Sequence, residues 1–274
     1  MTDMPRLTDR RALMRNRARA ARQGPALFLH ETALDEVKDR LSMVNRTFSN
    51  PAIVTGFPDF WAAQWPGAKI VPDDEVLTLD PGTHDLVIHA MALHWANDPV
   101  GQLIQCRRAL KPDGLFLSVA FGGQTLAGLR TALAEAESQL TGGLSPRVAP
   151  MAEIRDMGAL LQRAGLALPV ADAVPLRVSY ADSFALMRDL RAMGEGNALQ
   201  ARLRRPTRAG VLARAAAIHA GLAETDGGRI TETFELVVLT GWAPDDSQPQ
   251  PLRPGSARTR LADALGTRET PLHD

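Results

Sequence analysis

The chain has 274 residues, 45% of them hydrophobic and 23% charged, which is ordinary for a globular protein able to bury a sizeable core. Its 31 basic and 31 acidic residues cancel, so the molecule as a whole has no electrostatic pull toward nucleic acid or anionic lipid. A single cysteine, Cys106, excludes an internal disulfide, no Cys/His spacing marks a metal site, and neither a bilayer-length apolar run nor a signal-peptide core is found, so a cytoplasmic setting is expected.

The chain opens with Arg6, Arg10, Arg11, Arg15, Arg17, Arg19 and Arg22, opposed only by Asp3 and Asp9. Such a start fits a transit peptide, an arm for an acidic partner, or a helix lying on its own domain. Only Lys38, Lys69 and Lys111 are lysine, so one more arginine is weak evidence of phosphate binding. Leu34, Val37, Leu41, Val44 and Phe48 predict an amphipathic helix over Thr32–Phe48, with Thr32 and Asp35 as a capping box. Asn50-Pro51 breaks it, and Ala52-Ile53-Val54 reads as a strand ending at Thr55-Gly56. A short helix over Pro58–Gln64 and a strand over Ala68–Val71 follow.

Asp85–Ala90 is a near-continuous apolar run, the pattern of a strand buried on both faces of a parallel sheet. Asn97-Asp98-Pro99 starts a helix that faces Val100, Leu103, Ile104 and Leu110 one way. Lys111-Pro112-Asp113-Gly114 turns into a strand over Leu115–Phe121, and Thr125 opens a helix with Leu126, Leu129, Leu133 and Leu140 on one side. Strand and helix alternating at this spacing means right-handed βαβ units. A helix over Asp156–Gly165, strands around Val174–Tyr180 and Phe234–Val238, and an Arg-rich helical stretch over Ser183–Leu222 complete the pattern. The expected organisation is a basic helical extension over 1–48, a Rossmann-like core over 49–180, a helical cap over 181–229 before the last strand at 230–243, and a Pro-rich tail over 244–274 with one short helix near its end.

Several blocks together resemble one family, the methyltransferase-like assembly factors of respiratory complex I, kin of the biotin-pathway methyltransferases. They are Leu93-His94-Trp95-Ala96-Asn97-Asp98, Leu110 to Gly114, Phe121 to Leu126, Gly142-Gly143-Leu144-Ser145-Pro146-Arg147, Asp189 to Glu195, Thr240-Gly241-Trp242 with Ser247-Gln248-Pro249, and Arg253-Pro254-Gly255-Ser256-Ala257. The Lys-Pro-Asp-Gly block is common to many class I methyltransferases, whereas the Gly-Gly-x-Ser-Pro-Arg and Met-Gly-Glu blocks are specific. The resemblance implies an α/β class I methyltransferase-like Rossmann sheet, S-adenosylmethionine as cofactor, and work on an arginine of a complex I subunit or assembly intermediate. The zero net charge points to no nucleic-acid partner, and the resemblance allows peripheral membrane association through the complex.

Ligands of open parallel sheets bind beyond the carboxyl ends of the strands. By resemblance, Gly56, Asp73, Asp74, His89, Ala90, His94 and Trp95 stand at cofactor-binding positions, and Glu195 and Asn197 in the cap could hold an arginine through a charge-assisted pair. No catalytic nucleophile–base pair and no metal site is legible. The sequence departs from the family at the first strand. Val54 stands where an acid is usual, Phe57 and Phe60 replace glycine-rich positions, and the second strand with its ribose-binding acid is missing. Two readings therefore stay open: an S-adenosylmethionine-dependent or hydroxylating enzyme, and a methyltransferase-fold assembly chaperone without cofactor.

Overall fold

In the computed structural model, which describes residues 6–249 and 261–267, the elements follow the expected order. The N-terminal half contains α1 (Arg10–Gln23), α2 (Phe28–Ser42), β1 (Pro51–Thr55), α3 (Pro58–Gln64), β2 (Lys69–Pro72), β3 (His84–Ala90), a 3-10 turn over Leu93–Trp95, α4 (Pro99–Ala109) and β4 (Leu110–Gly122). It continues with α5 (Ala127–Thr141), α6 (Ile154–Arg163), β5 (Ala167–Tyr180), α7 (Ser183–Ala192), α8 (Ala209–Leu222), β6 (Glu224–Asp226) and β7 (Arg229–Trp242). The described residues up to Pro244 form one compact unit and those from Asp245 another, the latter holding the short helix α9 (Leu261–Leu265). The Arg253–Ala257 block lies outside the described residues.

The sheet runs β2-β1-β3-β4-β7-β5, with β6 also on β7. Pairings β2–β1, β1–β3 and β3–β4 are parallel, and β7 enters antiparallel between β4 and β5. A mostly parallel sheet whose last strand reverses direction is the class I methyltransferase arrangement. Contrary to the expectation of a missing second strand, β2 takes the place beside β1, in register Ile53 to Ile70, and Asp73 follows its end. Among the described residues, the strand lacking is the one beyond it at the sheet edge.

Strand alternation sends side chains to two cores. Ile53, Leu86, Ile88, Leu115 and Leu117 face a layer built from α2, α3, α5, α7 and α8. Val54, Val87, Phe116 and Ala120 face α4 and α6 through Leu103, Cys106, Met157 and Leu161. Each such large apolar side chain removed from water stabilises the fold by about 1.5–3 kcal/mol.

The structure corrects several local expectations. Helix α2 begins at Phe28, not Thr32, and ends at Ser42; Thr32 lies inside it and its hydroxyl donates to Phe28 O at 3.0 Å, so it caps nothing. Leu41, Val44 and Phe48 still pack on the core, the latter two from the following loop. Thr125 does not cap α5, because its Oγ1 donates to Gly122 O at 2.8 Å, and Leu140 is exposed on that helix. Lys111–Gly114 does not precede the strand but forms an irregular segment within β4, where pairing shifts from His84–Leu110 to Leu86–Leu115. The expected helical stretch is two helices, α7 and α8, separated by an irregular segment over 193–208 that carries Glu195 and Asn197.

Candidate functional site

Two cavities open at the carboxyl ends of the parallel strands. The first, about 800 Å³, lies between α1 and the ends of β1 and β2, against Gly56, Phe57, Phe60, Ile70, Asp73 and Asp74. This is where the class I cofactor would bind. A glycine after β1 serves to leave room beside the backbone. Here that room is filled: a Cβ built on Gly56 would collide with the guanidinium of Arg17. Arg17 Nη1 donates to Asp73 Oδ1 and Oδ2 at 2.8 and 2.9 Å. Arg10 Nη1 adds a bond to Oδ2 at 3.1 Å, and its Nη2 reaches Asp73 O at 2.6 Å and Asp74 Oδ1 at 3.4 Å. Burial would raise the Asp73 pKa, but the guanidiniums of Arg17 and Arg10 outweigh it and hold the carboxyl well below the usual range. With both Asp73 oxygens engaged and the Gly56 cradle filled, these residues do not fit S-adenosylmethionine as they stand.

The second cavity, about 170 Å³, lies under the cap, between Trp95, Phe121, Leu129, Phe234 and Glu195. Of the Leu-His-Trp-Ala-Asn-Asp block, Trp95 lines it and His94 stands behind Glu195. Trp95 Nε1 donates to Glu195 Oε2 at 2.7 Å, and His94 Nε2 meets the same oxygen at 3.3 Å. His94 Nδ1 accepts from Phe121 N at 3.4 Å, which leaves the ring proton on Nε2, facing the carboxylate. Asn97 ties down Thr8 through its N at 2.8 Å and its O at 3.2 Å, and Asp98 caps α4 by accepting from Gly101 N. Burial would raise the Glu195 pKa, yet His94 and the nearby Arg17 charge, with the Trp95 bond, bring it below the ordinary carboxyl value. Glu195 is therefore an ionised, largely enclosed carboxylate. Its Oε1 accepts no hydrogen bond from the described residues.

The expected site residues thus divide. Gly56, Asp73 and Asp74 line the first cavity, while Trp95, Glu195 and Asn197 line the second. Asn197 donates to Pro146 O at 2.9 Å and accepts from Leu199 N at 3.0 Å, so its amide links the Gly142–Arg147 loop to the cap. His89 reaches neither cavity. It pairs with Val54 in register and so shares Val54's face, where its Nε2 meets Gln102 Oε1 at 2.8 Å; burial lowers its pKa to about 4. Gln102 in turn donates to Asp74 O at 3.0 Å and shapes the acidic turn. Ala90 is enclosed on the other face. Arg17 and Arg10 were not singled out in sequence as site residues. A signal existed: Arg17 is four residues after Leu13 and three before Ala20, on the buried stripe of α1.

Of the Gly-Gly-x-Ser-Pro-Arg block, Arg147 lines the second cavity. Arg147 Nη2 and Nε donate to Glu137 at 2.6 and 3.0 Å, and Ser145 adds bonds from its hydroxyl and N. The Arg147 bonds, helped by Ser145, hold Glu137 at about 2 against an ordinary 4.5. A depressed folded pKa means stabilisation fully present above the ordinary value and lost as pH falls toward the folded one. Urea midpoints of the native chain and Glu137→Gln should differ most at neutral pH and converge as pH falls through this window. Tryptophan fluorescence would follow it.

Another constellation was not legible in sequence. Ser183 Oγ lies 2.8 Å from His219 Nδ1, whose Nε2 lies 2.9 Å from Glu232 Oε2. It resembles a hydrolase triad, but the three residues are only 2%, 0% and 4% exposed, so no substrate can reach the hydroxyl. Cys106 is likewise enclosed, and burial pushes its thiol pKa up. Among the described residues no cluster of His, Cys, Asp or Glu could hold a metal, and no helix is long and apolar enough to cross a membrane.

The sheet order and the strand-end cavities define a class I methyltransferase fold, and residues 31–118 match the model of a methyltransferase domain. The chain is similar to the arginine-hydroxylase NDUFAF5 proteins and, more distantly, to malonyl-[acyl-carrier protein] O-methyltransferases, and it spans about three fifths of the length of these relatives. It is 37% identical to the mitochondrial arginine-hydroxylase NDUFAF5 of Danio rerio over 72% of this chain, a match that spans 61% of that relative. Identity to the malonyl-[acyl-carrier protein] O-methyltransferase of Laribacter hongkongensis is 34%, over 65% of this chain and 57% of the relative. Among solved structures, the YcgJ protein of Bacillus subtilis aligns with a TM-score of 0.48 at 12% identity, over 76% of this chain and 97% of that one.

Proposed function

We propose that this protein acts in respiratory complex I assembly by receiving an arginine side chain of a partner subunit in the cavity floored by Glu195. The carrying observation is the carboxylate itself: Oε2 is fixed by Trp95 and His94, while Oε1 takes no bond from the chain. The cavity is lined mostly by apolar side chains together with Arg147, which is paired to Glu137, and Arg191. The ionised carboxylate is the group there that attracts a cation, and a guanidinium adds directed charge-assisted bonds. Trp95 and Phe121 line the cavity, and aromatic rings attract the same planar cation. The homology to arginine-hydroxylases supports an arginine over a lysine. The partner, a cytoplasmic setting and attachment to the membrane only through the complex belong to this proposal.

A catalytic version, in which the held arginine is modified, is favoured by the enzymatic names of the relatives. The filled Gly56 cradle favours holding without S-adenosylmethionine. Calorimetric titration with a short peptide carrying one central arginine, and with the same peptide carrying citrulline, tests the common element. The arginine peptide should bind at least tenfold more tightly, and Glu195→Gln should remove the difference. Equal heats for both peptides would refute the pocket. Analysis of the recovered arginine peptide by mass then separates holding from modification.

A further inference from the structure

We propose that helix α1 is a built-in ligand of the class I crevice, and that the Arg17–Asp73–Arg10 clamp permanently replaces the cofactor there. This inference does not depend on what the Glu195 cavity binds. The guanidinium of Arg17 fills the space a nucleotide-fold glycine keeps open, and its Nη1 engages both oxygens of the acid at the end of β2. The side chains of Arg17 and Asp73 are 8% and 5% exposed, so the pair is enclosed from both sides. On the far side, Gly194 adopts φ +77°, and a Cβ there would come within 3.1 Å of Arg17 Cγ and 3.2 Å of Arg17 Cα. The Met-Gly-Glu block thus admits the backbone of α1 itself. Arg17 stands between two carboxylates, bonded to Asp73 and close enough to Glu195 to favour its ionised form.

The attachment of α1 is distributed, which distinguishes a fixed component from a swinging lid. Asp9 N donates to Ala198 O at 2.8 Å, and Asn16 Nδ2 to Gly196 O at 2.9 Å. Arg202 Nη2 donates to Asp9 Oδ2 at 2.9 Å, and Leu13 and Ala12 pack with Trp95 and Leu199. The losses elsewhere point the same way. Val54 is an apolar core residue where the family has an acid, Phe57 is packed on His30 at 4.6 Å between ring centres, and the acid that follows β2, the strand beside β1, is already engaged by Arg17 and Arg10. A cationic side chain held by a buried acid then stabilises the strand ends that the cofactor would otherwise organise.

The test combines ligand titration with hydrogen exchange on the full chain. S-adenosylmethionine and S-adenosylhomocysteine, raised to millimolar concentration, should give the native protein no saturable heat and no thermal stabilisation. In Asp73→Asn and in Arg17→Met, amide exchange across residues 10–23 should quicken at least tenfold while β3 and α4 stay protected, with no nucleoside binding gained. Arg17→Lys, which keeps the charge, should fall between. Saturable binding to the native protein would overturn the proposal, and so would unchanged exchange in α1. Nucleoside binding gained by Arg17→Met would also overturn it, by making the clamp a removable plug. Should Arg17→Met fail to fold, the native titration and the outer variant Arg10→Ala, expected to quicken α1 exchange alone, still decide.

Discussion

Asp73→Ala is expected to lower the free energy of unfolding by about 3–5 kcal/mol, because removing one partner leaves an enclosed charge uncompensated. Arg17 carries most of this effect. Its Nη1 makes two bonds to Asp73, and its Nε and Nη2 are buried without other partners, so no second acceptor is at hand. Arg10 is more exposed, keeps Asp73 O and Asp74, and contributes less. Asp73→Asn keeps the volume and one acceptor oxygen and should cost less than alanine. Urea unfolding at neutral pH measures both. A loss within error of zero for Asp73→Ala would mean that the guanidinium finds water instead, and that the clamp is not enclosed. Acid should act in the same direction. The Asp73 pKa is depressed on folding, so its stabilisation is present above the ordinary value of 3.8 and is lost only as pH falls well below it.

Loss of Glu232 should be nearly as damaging, at about 3 kcal/mol or more for Glu232→Ala. Its Oε2 accepts from Leu129 N at 3.1 Å and from His219 Nε2 at 2.9 Å, while Oε1 accepts from Thr233 N at 3.1 Å. One carboxylate therefore joins the start of α5, the end of α8 and the edge of β7, and through His219 it reaches Ser183 at the first turn of α7. Three donors in an enclosed site would be left unsatisfied together. Ser183→Ala removes only the outermost bond and should cost about 1 kcal/mol, with peptide binding at the Glu195 cavity unchanged. Denaturant midpoints test the ranking. If Ser183→Ala abolished an activity without loss of stability, the structural assignment of this triad would be wrong.

These two sites share a pattern with the Glu195 cavity: each joins elements far apart in sequence through one buried carboxylate. Asp73 holds α1 to the end of β2, Glu232 holds the cap helices to β7, and Glu195 holds the cap to the turn after β3. The first two have all their oxygens engaged within the chain. Glu195 alone of the three keeps an oxygen free at a cavity, which is the physical ground for proposing partner recognition there and not at Asp73.

Much of the architecture was legible from local patterns. The apolar runs at 52–54, 85–90 and 115–121 marked the parallel strands, because a strand buried on both faces has no polar alternation. Asp98-Pro99 marked the start of α4, because capping chemistry is local. Thr32 misled for the complementary reason: a threonine hydroxyl serves equally well inside a helix, and the true start of α2 is set by tertiary contacts after Pro25, with Ala26 N bonded to Ala192 O. The short connection was legible, but its consequence was not: β2 takes the place beside β1, so among the described residues the sheet lacks the strand beyond it and not the second strand.

What the sequence by itself determined, then, is the succession of elements and the parallel strands, which follow from periodicity, caps and connection lengths acting over a few residues. The class I sheet and the interest of Glu195 and Asp73 came from the family resemblance. What only the tertiary structure decided is which charges meet. Arg17 reaches Asp73 across 56 positions, Trp95 reaches Glu195 across 100, and Arg202 reaches Asp9 across 193. No local rule couples residues so far apart. The pairings arise when sheet, cap and N-terminal helix pack together and each buried charge must find its partner within a few ångströms.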